Sequence, residues 1–117
     1  MEMTVEAALP LMRESGKIAV IAHILPDGDT IGSCLALADV LQEAGKSVSL
    51  FCEDTPPATL RFLQGWEEFR KENDRPEPFD LAIAVDCSDR ERMGACSAVF
   101  GNGRRTMNID HHISNTF

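Results

Sequence analysis

The chain has 117 residues, enough for one domain at most or part of one, and 44% of them are hydrophobic, enough to bury a core. No apolar run reaches the roughly 18 residues that a membrane helix needs, and the acidic, amphipathic start MEMTVEAALPLMRESG lacks the basic and apolar regions of a secretory signal. The net charge of −8 argues against a general nucleic-acid-binding surface, and four cysteines without CxxC spacing read as reduced cytoplasmic thiols, not a disulfide framework.

Residues 4–15 predict a helix: Val5, Ala8, Leu11 and Met12 fall on one face, Pro10 kinks it or shifts its start, and Gly16 stops it. This helix is expected either to pack on a sheet or to mediate dimers. KIAVIAH, residues 17–23, is a nearly continuous apolar run, the pattern of a strand buried on both faces of a parallel sheet. The polar loop PDGDT leads into a predicted helix over 30–44, with Leu35, Leu37, Ala38 and Leu41 apolar and Gly45 as its stop. SVSLFC, residues 47–52, is a second strand. Strand, helix and strand of these lengths make a βαβ unit with a right-handed crossover.

Pro56-Pro57 opens a short helix carrying Leu60, Phe62 and Leu63, and the charged stretch WEEFRKENDRPEP reads as surface helix and loop, with Trp66 and Phe69 as core or interface residues. DLAIAV, residues 80–85, is a third buried strand. Residues 91–100 predict a weak helix, 101–104 a turn, and TMNI, 106–109, a fourth strand. The alternation predicts an α/β chain, a Rossmann-like three-layer domain with a mostly parallel sheet, without repeat, low-complexity stretch or linker.

Three of these strands are followed at once by groups that can hold a metal: His23 after the first, Asp86 after the third, Asp110-His111-His112 after the fourth. Open parallel sheets bind ligands beyond the carboxyl ends of their strands. Alone, His23 reads as a strand-end histidine satisfied by backbone, and Asp86 as a turn cap. With Asp27 and Asp29 following His23, both turn toward ligation. Imidazoles and carboxylates without thiolates suit Mn²⁺ or Mg²⁺ better than a structural zinc. Bridging carboxylates hold two cations about 3.5–4 Å apart, the arrangement that stabilises attacking and leaving oxygens in phosphoryl displacement. Two such ions would halve the net charge, so the acidic chain can still accept a phosphate.

Gly28 lets the loop turn tightly between Asp27 and Asp29, and Gly32-Ser33 is expected at the first turn of the following helix, where free N–H groups favour an anion. Thr30 and Ser33 read as helix N-caps, Asp89 as a cap or a site carboxylate, Arg92 as facing substrate or solvent, and Cys87 as packing.

HILPDGDTIGS (residues 23–33), VDCSD (85–89) and NIDHHISN (108–115) resemble the first three motifs of the DHH phosphoesterase superfamily, and RMG (92–94) resembles an arginine-glycine pair after the second. The subgroup it looks most like is the RecJ-like oligoribonuclease and pAp-phosphatase type. The resemblance implies two Mn²⁺ ions, with Mg²⁺ as the alternative: His23 and Asp27 on one, Asp29 and His111 on the other, Asp86 bridging both. Asp110 and His112 would orient ligands or contact the scissile phosphate, and a metal-activated water would attack. It also implies a short oligonucleotide or nucleotide substrate. The reduced thiols and the lack of an apolar span add the expectation of a cytoplasmic enzyme without membrane attachment, and a homodimer of the full-length protein is expected. An open sheet edge, likewise, predicts self-association.

The family carries a fourth motif and a smaller substrate-binding domain, which residues 1–117 do not contain. The expectation is therefore the N-terminal portion of an incomplete DHH domain. The competing expectations are a catalytically incomplete metal- or nucleotide-binding fragment, or another DHH phosphohydrolase acting on cyclic dinucleotides, pyrophosphate or polyphosphate.

Overall fold

In the computed structural model, which describes residues 5–23, 27–70, 78–85, 87, 93–94 and 96–109, the apolar run KIAVIA forms β1 (Lys17–Ala22) and is buried from Ile18 onward. Its burial on both faces follows from its neighbours. β2 (Ser47–Phe51) and β4 (Phe79–Val85) flank it, β3 (Phe69–Arg70) lies outside β2, and β5 (Gly103–Ile109) outside β4. The five strands run in the order β3-β2-β1-β4-β5, every pairing parallel.

Two apolar layers fill the two faces. On one, α1 (Val5–Glu14) and α2 (Gly28–Glu43) cover Ile18, Val20, Ala22, Leu81, Ile83 and Val85. On the other, Val99 and Phe100 of α3 (Ser97–Gly101) cover Ala19, Ile21, Ala82 and Ala84, with Met93 and Cys96. Alternate strand residues serve opposite layers because successive side chains of a strand point to opposite faces. The first helix packs on the sheet through Ala8, Leu11 and Met12. Pro10 sits inside that helix. Asp80 ties β4 to the entry of β1, its Oδ2 accepting from the Gly16 N–H at 2.9 Å and the Lys17 N–H at 3.0 Å. These two backbone donors hold its carboxyl below the usual carboxylate range.

The α/β reading and the four predicted strands stand, with differences in where elements begin and in one added strand. α2 begins at Gly28, two residues before the predicted start, because Asp27 caps it. Phe69 and Arg70, predicted as surface helix and loop, instead pair with Leu50 and Phe51. A two-residue strand has no period to read, and Phe69 is drawn in by the apolar layer it packs against. β5 begins at Gly103, where a turn was predicted. Glycine is required there by close approach: a Cβ would stand 2.6 Å from Ala82 Cβ. The exposed Arg104, Arg105 and Thr106 suit an edge strand. Within the predicted helix over 91–100, Met93, Gly94 and Cys96 are in 3-10 conformation and the α-helix runs from Ser97, while residues 91, 92 and 95 lie outside the described residues. Among the described residues no helix is long and apolar enough to cross a membrane.

Candidate functional site

Parallel pairing levels three strand ends. Ala22 is in register with Val85, and Val85 with Ile109, so the last residues of β1, β4 and β5 stand in one row. The next residues in sequence are His23, Asp86 and Asp110. From β1 the sheet extends to β2 and β3 on one side and to β4 and β5 on the other. The β1–β4 boundary is therefore the switch point, whose crevice binds ligands in open parallel sheets.

His23 is buried, with 6% of its surface exposed. It is held by Thr30, whose Oγ1 lies 2.9 Å from His23 Nε2. The same hydroxyl donates to Asp27 Oδ1 at 3.0 Å. Asp27 caps α2, and its Oδ1 also accepts from the Thr30 N–H at 2.9 Å. The backbone donor is the first cause that lowers the Asp27 carboxyl below its ordinary value, and the Thr30 hydroxyl adds to it. Thr30 is thus not the cap but the third residue of the helix, fully buried between two predicted ligands. Sequence reasoning missed this role; the D-x-x-T spacing of a cap and its third residue was the available signal. Asp29 stands exposed on the first turn, where a carboxylate complements the helix dipole. Because α2 starts early, Gly32 and Ser33 fall one turn inside it, so neither Ser33 as cap nor an anion site there stands.

The surroundings close on His23 from β2. The Cys52 thiol donates to the His23 carbonyl at 3.4 Å. Burial pushes this thiol up to about 11, so it stays neutral near pH 7 and supplies no thiolate. Glu53 reaches the segment after β4: a Cβ on Gly94, whose φ is +58°, would meet the Glu53 carboxyl at 2.6 Å. Beyond β4, Cys87 is fully buried as packing, and its carbonyl accepts from Asn108 Nδ2 at 2.9 Å.

His23, Asp27 and Asp29 are thus gathered where β1 meets α2. Asp86, Asp89, Arg92, Asp110, His111 and His112 lie outside the described residues. Among the described residues, no three His, Cys, Asp or Glu side chains come together to hold a metal. What is present fits one in kind: an imidazole and a carboxylate sharing one hydroxyl, with a second carboxylate two residues on.

The family described as "DHH family, N-terminal domain" matches residues 17–117. The chain is 35% identical over 101 residues to the bifunctional oligoribonuclease and PAP phosphatase NrnA of Thermus thermophilus, covering 86% of this chain and 29% of that protein. It is 31% identical over 90 residues to the NrnA of Bacillus subtilis, covering 77% of this chain and 27% of that protein. The chain therefore spans less than a third of the length of these relatives. In structure it resembles an exopolyphosphatase-related protein from Bacteroides fragilis, with a TM-score of 0.81 at 26% identity, over 92% of this chain and 34% of the other.

Proposed function

The chain belongs to the DHH family, and from that premise we propose that the protein is a phosphoesterase dependent on two Mn²⁺ ions that hydrolyses short oligonucleotides or pAp. The observation that carries the reading is the level row of strand ends at the switch point, one of which leads into the His23–Thr30–Asp27 cluster. When bound, the divalent cations supply charge for phosphate oxygens and acidify a water. His23 and Asp27 would hold one ion, Asp29 and His111 the other, with Asp86 shared. Asp110 and His112 would orient those ligands or meet the scissile phosphate. Mg²⁺ is the alternative metal.

The names of the two NrnA relatives support the oligonucleotide and pAp substrates. The likeness to the exopolyphosphatase-related protein of Bacteroides fragilis supports a second reading, with polyphosphate as substrate. On either reading residues 1–117 form the N-terminal portion of the catalytic domain of a longer enzyme. Cytoplasmic location is part of the proposal, supported by four buried free cysteines. So is a homodimer, supported by the exposed Leu9 and Val40 on α1 and α2.

The test is Asp86→Ala in the full-length protein, assayed with Mn²⁺ on a dinucleotide, pAp, a cyclic dinucleotide, pyrophosphate and polyphosphate. Loss of mononucleotide release from the dinucleotide, or of phosphate release from pAp, is expected. Turnover equal to wild type sinks the proposal, and wild-type activity on polyphosphate alone selects the second reading.

A further inference from the structure

We propose that Asn108 is a positioning residue for Asp86: its side-chain amide clamps the backbone just beyond Asp86, so the chain is held on both sides of that carboxylate. The inference rests on the two-metal reading above, in which Asp86 is the shared ligand.

On one side of Asp86, Val85 is fixed in the sheet by its pairing with both Ala22 and Ile109. On the other, Cys87 is completely buried, its thiol donates to the Val85 carbonyl at 3.6 Å, and its own carbonyl accepts from Asn108 Nδ2 at 2.9 Å. Asn108 is in register with Ala84, so the bond links β5 to the exit of β4. The backbone is thus pinned at Val85 and at Cys87, the two sequence neighbours of position 86.

Asn108 is a poor choice for stability alone. Its Oδ1 is buried and has no hydrogen-bond partner among the described residues. Such an acceptor costs free energy that an apolar side chain of similar size would not. Its register partner is the fully buried Ala84, and the residue before it is the buried Met107. Cys87 is already anchored in the layer formed by Met93, Cys96 and Phe100. Only a donor at position 108 can hold the Cys87 carbonyl, and neither leucine nor aspartate supplies one.

The experiment compares Mn²⁺ binding by calorimetry and thermal unfolding for the wild-type full-length protein, Asn108→Leu, Asn108→Asp, Asp86→Ala and Ser15→Ala. Ser15 donates to the Leu11 carbonyl at 2.7 Å, before the first strand, and serves as a structural control. Groups outside the ligand shell that orient ligands typically control metal affinity by about 10–100-fold. Asn108→Leu is expected to unfold near the wild-type midpoint yet bind Mn²⁺ weaker by about that factor. Ser15→Ala is expected to lower the midpoint and leave Mn²⁺ affinity unchanged. Wild-type affinity in Asn108→Leu or Asn108→Asp, with Asp86→Ala impaired, overturns the positioning role while the metal reading stands. Failure of both Asn108 variants to fold overturns it as well, since Asn108 then serves the fold. A wild-type protein that binds no Mn²⁺ overturns the metal reading and this inference together.

Discussion

Thr30 Oγ1 stands 2.9 Å from His23 Nε2, joining the end of β1 to the start of α2 across the loop between them. The Thr30 hydroxyl has one proton, and the Asp27 carboxylate only accepts, so the proton goes to Asp27. Nε2 of His23 therefore carries its own hydrogen and donates to Thr30. One small side chain thus sets both the tautomer of the histidine and the position of the carboxylate.

Replacing Thr30 with Val keeps the volume and removes the hydroxyl. It is expected to cost about 1–3 kcal/mol, the range for disturbing a buried polar pair. Thr30→Ser keeps the hydroxyl and removes one methyl, which costs about 1 kcal/mol. Urea unfolding of the two variants checks the order: a Val variant as stable as the Ser variant contradicts the role given to the hydroxyl.

Asp27 and Asp80 share a pH signature. Backbone donors hold both carboxyls below their unfolded values, Thr30 for the first, Lys17 and Gly16 for the second. A depressed carboxyl contributes fully above its unfolded value, near pH 4, and that contribution is lost as pH falls through the lower folded value. The unfolding midpoint should therefore hold steady from neutral pH to about pH 5 and drop below pH 4. In Asp80→Asn the acid drop should be shallower, because the amide does not titrate. Thermal melts from pH 7 to pH 3 measure both slopes, and parallel slopes would exclude Asp80 as a contributor.

All four cysteines are buried, and Cys52 is a neutral thiol donating to the His23 carbonyl. An aromatic disulfide reagent at pH 8 is expected to find almost no reactive thiol in the folded chain, and four after unfolding in guanidinium. Rapid modification of one thiol under native conditions would contradict the burial of that side chain.

The apolar runs of β1 and β4 were legible because a strand buried on both faces must be apolar almost throughout. The α2 crossover was legible because a helix covering one face repeats its apolar residues every three or four positions. β3 was not, since the two residues Phe69 and Arg70 carry no periodicity and are strand only because β2 offers them a free edge. The start of β5 was hidden by GNGRR, a sequence that suits a turn until β4 lies alongside it.

For the site, the sequence by itself determined which groups were on offer, because ligand chemistry is a property of residue type: imidazoles and carboxylates, each following an apolar strand. It also marked a loop between the first strand and the following helix, but carried that loop through Gly28 and Asp29, where the helix has already begun. Only the tertiary structure decided that β1, β4 and β5 end level, that Thr30 joins His23 to Asp27, and that Asn108 reaches the carbonyl beyond Asp86. Register and hydrogen-bond partnership depend on which strands become neighbours. That choice is made by packing both faces of the sheet at once, and no local stretch of chain contains it.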